Sequence, residues 1–168
     1  AYKYFSLTYS LDPDFPNVLT FLVKSLSYSH GVKTAYENLI KEFEQSYEVL
    51  ETFATLFREQ ALFDEEIKTL RRCLEHSPDR GHIFNLIGNA YGSAGDQNKA
   101  IETYKEAIDD NENNGLAFYN LGVNYGALSQ YNKAIHYYKK CLERLPNYLD
   151  AMNNLAYLLG QTGKIEDA

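Results

Sequence analysis

Apolar residues recur along this chain at the three- and four-residue steps of helices buried on one side. Phe84, Ile87, Gly88 and Tyr91 fall at i, i+3, i+4 and i+7, and Phe118, Leu121, Gly122 and Tyr125 repeat the pattern. The spacing predicts a helix in each place. A second stripe follows each of these: Ala100, Tyr104 and Ala107 after the first, Ala134, Tyr138 and Cys141 after the second. The small residues in both stripes allow two helices to pack closely as a pair. Pro146, which has no N–H to donate, is expected to end the second helix.

Gly88 and Gly122, Tyr91 and Tyr125, Ala100 and Ala134, and Tyr104 and Tyr138 are each 34 residues apart, a period that marks a helix-turn-helix repeat. The frame continues upstream through Leu50, Phe53, Ala54 and Phe57, then Leu70, Cys73 and Pro78. Downstream it continues through Met152, Leu155, Ala156 and Leu159. An aromatic, Leu-Gly, Tyr, then Ala, aromatic, Ala and Pro at these separations resembles the tetratricopeptide repeat family, and the resemblance covers 47–162. It implies an all-α, right-handed superhelical solenoid of antiparallel helix pairs. The expected division is whole repeats at 47–80, 81–114 and 115–148, with a truncated one at 149–168. Ala1, Phe5, Thr8 and Pro13 have the spacing of Ala134, Tyr138, Cys141 and Pro146, so 1–15 reads as the second helix of another truncated repeat. The chain reads as an excerpt of a longer protein.

The frame is weakest over 16–46. Leu19, Leu22, Val23, Leu26, Ala35 and Leu39 keep the apolar positions, but Glu42 replaces a small residue and the segment is three residues short of the period. No Gly or Pro occurs from Val32 through Gln60. Two readings follow. In one, 34–60 is a continuous helix whose seam of Tyr36, Ile40, Phe43, Tyr47, Leu50, Ala54 and Phe57 follows a heptad and could pair with a second chain. In the other, a tight turn falls at Gln45 and Ser46, with Ser46 as N-cap.

Composition narrows the functional classes. The chain has 168 residues, 45% apolar and 23% charged, which suits one packed body and not disorder. A net charge of −7, with no strongly basic segment, gives nucleic acid and anionic membrane no electrostatic hold. Residues 81–114 carry six acids and two bases, whereas 115–148 carry Glu143 against Lys133, Lys139, Lys140 and Arg144. No apolar run approaches a membrane span, and Ala1 to Ser10 lack the pattern of a secretion signal. Cys73 and Cys141 are the only cysteines and occupy the same small-residue slot two repeats apart, where they read as packing residues. A reducing, cytoplasmic setting is expected. His30, His76, His82 and His136 share no metal-ligand spacing, and no catalytic, metal or cofactor site is expected. Asp64, Glu65 and Glu66, like Asp109 and Asp110, fall at expected helix ends and read as solvated or dipole-favoured charge.

The family resemblance implies that the first helix of each pair turns the face opposite its core stripe toward a concave groove that holds a peptide. On a helical wheel this face takes His82, Asn85, Asn89, Gly92 and Ser93, then Leu116, Tyr119, Asn120, Val123, Gly126 and Ala127. The last repeat adds Asp150, Asn153, Asn154, Tyr157, Gly160 and Gln161; upstream the positions are Glu48, Glu51, Thr52, Thr55, Arg58 and Glu59. Asparagine is a mediocre helix former, and its amide both donates and accepts, as the main chain of an extended peptide requires. Asn120 and Asn154, 34 apart, are therefore candidates to read peptide backbone. Similar asparagine ladders line a glycosyltransferase of the family, although Leu86 and Thr52 hold the corresponding places upstream. Chaperone-tail adaptors of the family hold a terminal carboxylate with a cationic clamp. Asn89 and Asn120 match its asparagines, but Asn85, Asp150 and Asn154 stand where Lys, Lys and Arg would be needed. Tyr119 and Tyr157 are candidate anchors. Gly92, Gly126 and Gly160 could admit a ligand backbone or simply loosen a helix end. The expected function is a protein-interaction scaffold binding a protein or peptide segment through Asn85, Asn89, Tyr119, Asn120, Val123, Asn153, Asn154 and Tyr157. The rivals are a substrate-recruiting domain of a larger enzyme, such as a glycosyltransferase, and a module that self-associates through open repeat ends or the 36–57 helix.

Overall fold

The computed structural model describes residues 23–25, 27, 28, 30–41 and 46–163. The expected helix at 1–15, Glu42, Phe43, Gln45 and the end of the last repeat lie outside the described residues. The chain divides into two compact units, 1–78 and 79–168. The described elements are all helical.

In the first unit, α1 (Val32–Leu39), α2 (Tyr47–Glu59) and α3 (Phe63–Cys73) follow one another. Ser46 is extended at φ −81° and ψ 107°, and its hydroxyl accepts from the Val49 N–H. The unbroken 34–60 helix is thereby excluded, because a side-chain cap stops the helical ladder at Ser46. The seam residues of α2 beyond Tyr47 are also spent internally. Leu50, Ala54 and Phe57 are fully buried, and Tyr36 stands edge-on to Phe53 and Phe57, with ring centroids 5.2 and 5.4 Å apart. These aromatic contacts join α1 to α2 around Val32, Ala35, Leu39 and Val49.

In the second unit, α4 (Arg80–Ser93) pairs with α5 (Gln97–Asp110), and α6 (Gly115–Ala127) with α7 (Tyr131–Arg144); α8 (Leu149–Gln161) then packs on α7. Asp79, Asp96 and Asn114 cap α4, α5 and α6 by accepting backbone N–H groups three residues on. The pairing rests on a close approach. An added Cβ at Gly88 would lie 2.3 Å from the ring of Tyr104, and one at Gly122 would lie 2.5 Å from the ring of Tyr138. The second-helix tyrosine occupies the space a side chain would need. Gly115 plays the same part for Leu145, 2.6 Å from its would-be Cβ, at the other end of the α6–α7 pair.

A second period appears only in the backbone. Ala61, Gly95, Ser129 and Gly163 stand 34 residues apart, and all have positive φ, at 55°, 85°, 57° and 70°. Each follows a first helix and turns the chain left-handed. After α2, α4 and α6 the next N–H reaches back to the helix: Leu62 to the Phe57 carbonyl, Asp96 to Tyr91 and Gln130 to Tyr125, at 2.8 to 2.9 Å. This is the left-handed helix stop that glycine fills without strain. Ala61 and Ser129 carry the steric cost that Gly95 and Gly163 avoid.

The acids do not all behave as solvated charge. Glu66 is fully buried, and its Oε1 accepts from Arg58 Nε at 2.6 Å, so its role is an ion pair between α2 and α3. Burial pushes its carboxyl above the usual range, with Arg58 opposing the shift. Asp110 lies at the C-terminal end of α5, where the helix dipole disfavours an acid, and is paired with Arg80 at 2.8 Å. Asp64 is exposed, as expected, and Glu65 is paired with Lys33.

A column of rings stiffens the α6–α7 pair. Tyr125 stacks on Tyr137 at 5.3 Å with an interplanar angle of 2°, and Tyr137 stacks on Phe118 at 6.4 Å. Lys133 closes one end over Tyr125, and Arg144 closes the other over Phe118. In the α4–α5 pair Lys99 and Arg80 cap Tyr91 and Phe84 in the same way, but Thr103 holds the place of Tyr137.

Two predictions follow from these contacts. Gly122→Ala is expected to cost about 1–3 kcal/mol, and Gly122→Leu more, because the Tyr138 ring must move. Ser129→Gly is expected to gain about 1 kcal/mol, by relieving the left-handed strain. Thermal denaturation of the variants checks both, and equal melting temperatures for Gly122→Ala and the parent would contradict the close approach. A third concerns Glu66. The folded state holds its proton more tightly than the unfolded chain, so this group subtracts stability as pH rises from the ordinary carboxylate pKa through its raised one. Glu66→Gln should therefore gain on the parent between about pH 4 and pH 7. Urea titrations at both pH values measure the difference.

Candidate functional site

Four of the expected binding residues are hydrogen-bonded between the first helices α4, α6 and α8 of the second unit. Asn120 Nδ2 on α6 donates to Asn85 Oδ1 on α4 at 3.1 Å. Asn154 Nδ2 on α8 makes a long bond, 3.5 Å, to the Tyr119 hydroxyl on α6. Both bonds join residues 35 apart, so each links one first helix to the next. Within α6, Asn124 Nδ2 donates to the Asn120 carbonyl at 2.9 Å.

These partners change the reading of the asparagines. Asn120 and Asn154 are half-buried, and each already gives one amide N–H to a neighbouring helix. Their first task is to tie repeats together. Asn89 is exposed but accepts from the Tyr104 hydroxyl at 2.7 Å. That bond supplies the buried tyrosine with the acceptor its hydroxyl needs. Asn153 is exposed, and its side chain makes no hydrogen bond among the described residues.

Tyr119 and Tyr157 differ in kind. Tyr119 is half-buried, edge-on to Tyr148 at 4.9 Å and tilted against Tyr138 at 5.9 Å. Burial and the nearby Asp150 carboxylate raise its hydroxyl pKa. Burial pushes the Tyr138 hydroxyl up to about 12, with Asn154 opposing the shift by hydrogen bonding. Tyr119 is therefore the floor of a tyrosine cluster shared by α6, α7 and the start of α8. Tyr148 was not a candidate, since it lies at the N-cap of α8, outside the repeating stripe. Tyr157, by contrast, is 65% exposed, its hydroxyl accepting from Gln161 Nε2 at 3.1 Å. Val123 and Leu116 are also exposed on α6.

The three recurring glycines near the helix ends are not packing requirements. A Cβ would meet nothing within 4 Å at Gly92 or Gly160, and only Ala134 at 3.9 Å at Gly126. Arg58, expected on the corresponding face of the first unit, is instead engaged with Glu66. Cys73 and Cys141 are buried free thiols, and burial raises the Cys73 thiol to about 11. Among the described residues no group of three His, Cys, Asp or Glu could hold a metal, and no helix is long and apolar enough to cross a membrane.

Paired helices in a 34-residue register, closed by a glycine-tyrosine contact and stopped by a left-handed residue, define a helical-repeat protein of the kind that serves protein interaction. Tetratricopeptide repeat models match residues 88–129, 115–148 and 137–168, and residues 88–168 belong to that family. Among solved structures, the chain is similar to MamA at 21% identity and a TM-score of 0.67, covering 81% of this chain and 80% of that one. It is also similar to the first TPR of Spaghetti (RPAP3) bound to the HSP90 peptide SRMEEVD, at 22% identity, 71% and 97% coverage and a TM-score of 0.63. A third is the Sgt2 TPR domain from Aspergillus fumigatus, at 17% identity, 73% and 82% coverage and a TM-score of 0.61. At these identities the likeness is one of fold. No curated protein sequence matches the chain.

The asparagine bond between α4 and α6 can be measured. A double-mutant cycle on Asn85→Ala and Asn120→Ala is expected to return a coupling of about 0.5–1.5 kcal/mol in thermal or urea unfolding. Additive effects would mean that the bond contributes nothing to joining the helices.

Proposed function

We propose that this chain is a protein-interaction scaffold within a larger protein, and that its first-helix face binds a partner segment. The proposed repeats are 47–80, 81–114 and 115–148, with a further one begun at 149, and the face lies on those from 81 onward. The observation that carries this reading is the strip on α4, α6 and α8, where hydrogen-bonded amides run between successive helices beside the exposed side chains of Val123 and Tyr157. A tyrosine held two-thirds in solvent by a short polar contact costs apolar exposure and is a natural anchor for a partner. The RPAP3 domain of similar fold, bound to a peptide, lends support by analogy.

The role of each residue follows from its surroundings. Val123 and Tyr157 supply apolar contact, and Asn153 supplies an amide not already committed within the protein. Asn85, Asn89, Asn120 and Asn154 hold the face in register and offer their remaining donors and acceptors to a main chain. Tyr119 supports the face from beneath. Both thiols are buried and unlinked, which suits a reducing compartment such as the cytoplasm.

Tyr157→Ala combined with Val123→Ser tests the reading, because both side chains are exposed and their loss should leave the melting temperature within a few degrees of the parent. Partners recovered with the parent and identified by mass spectrometry are expected to be lost or weakened roughly tenfold with the double variant. Undiminished binding of every such partner would place the interaction elsewhere on the molecule.

A further inference from the structure

The strip is almost free of charge, in a chain that is 23% charged. α6 carries no Asp, Glu, Lys or Arg, and α8 carries only Asp150. On α4 the one such residue is Arg80, whose guanidinium is spent on Asp110 and the Phe84 ring. Asp150 is exposed, and among the described residues it makes no ion pair. It stands on the same α8 stripe as Asn154, Tyr157 and Gln161, at i, i+4, i+7 and i+11. In the first turn of α8 it follows the N-cap Tyr148, which stands edge-on to Tyr119, so it lies at the tyrosine-cluster end of the strip.

Four cations of this unit are engaged on other contacts, and Lys105, Lys139 and Lys140 lie on α5 and α7, off the strip helices. Lys133 and Arg144 of α7 lie over the rings of Tyr125 and Phe118, and Lys99 of α5 lies over Tyr91 and pairs with Asp96. A partner's acid placed along α6 and α8 would find no cation on those helices and would meet Asp150. A partner's lysine or arginine would find an unpaired carboxylate flanked by exposed apolar surface. The first-turn position of Asp150 suits the helix dipole and accounts locally for an acid there. It does not account for the absence of every other charge from the two helices.

Resting on the interaction-scaffold reading above, we propose that the α6–α8 face selects an extended segment carrying a basic residue next to apolar ones. The basic side chain would meet Asp150 and the apolar ones Val123 and Tyr157. An acidic chain terminus would be refused.

The test uses three pools of end-blocked peptides of about ten residues, long enough in extended form to cross neighbouring helices. The pools are degenerate in Leu, Val, Tyr, Asn and Ser and differ only in a central Lys, Gln or Glu. Binding to the whole chain is measured by interferometry at low salt. The Lys pool is expected to bind the parent roughly two- to fivefold better than the Gln pool, as an exposed ion pair allows, and the Glu pool worse. Asp150→Asn should erase the preference and Asp150→Lys should reverse it, both with unchanged helical circular dichroism. A Lys preference that persists in Asp150→Asn, or no Lys preference in the parent, overturns the charge selection. If binding then still falls with Tyr157→Ala, the interaction face itself stands. Binding indifferent to Tyr157→Ala in every pool, or no binding at all, overturns the proposal together with the reading it rests on.

Discussion

The second unit depends on a tyrosine ring sitting where a side chain of the facing helix would be. Tyr104 fills the space over Gly88, and Tyr138 the space over Gly122, at distances no real Cβ could tolerate. Once that contact is made, the separation of the paired helices is set, and so is the depth to which each tyrosine hydroxyl is buried. Each hydroxyl then has to be dealt with. Asn89 accepts from Tyr104, whereas Tyr138 has Val123 at the equivalent place, which offers no acceptor. The amide-rich character of the candidate face is thus partly a consequence of the packing beneath it.

That coupling alters what the asparagines are for. An asparagine row on a helix face invites a reading as a peptide-backbone ladder, and the amides retain capacity for that. Yet Asn85 with Asn120, and Asn154 with Tyr119, first join one helix to the next across a repeat boundary. Neighbour-to-neighbour ties of this kind are what a repeat array needs, because each unit borrows its stability from the next. The residues that remain outward, Val123, Asn153 and Tyr157, are the ones with least structural work. The face divides into a layer that fixes register and a thinner layer that faces solvent.

Charge is distributed to match. Arg80, Lys99, Lys133 and Arg144 lie over aromatic rings, and α6 and α8 carry no charged residue apart from Asp150. In the first unit the pair of part-exposed Arg58 with buried Glu66 ties α2 to α3, with Arg58 Nη2 and Glu66 Oε2 lacking partners. A half-satisfied pair adds little net stability, but either charge alone would be worse.

The sequence by itself determined the helices, their 34-residue register and the family, because apolar spacing and small residues report directly on which face of a helix is buried. It also indicated that Gly122 lies in a close helix contact, and that Cys73 and Cys141 are packing residues. It did not separate a long helix from a capped break at Ser46, since both suit the same apolar pattern and only backbone dihedrals distinguish them. The left-handed stops went unread for a similar reason. Gly95 and Gly163 hint at them, but Ala61 and Ser129 take the same conformation with no special residue to announce it. Only the tertiary structure decided that Glu66 is buried, that Asp110 is paired, and that the asparagines are committed between helices. Each of those outcomes depends on what a neighbouring helix presents, and a polar side chain's fate is set by its nearest partner, not by its place in the repeat.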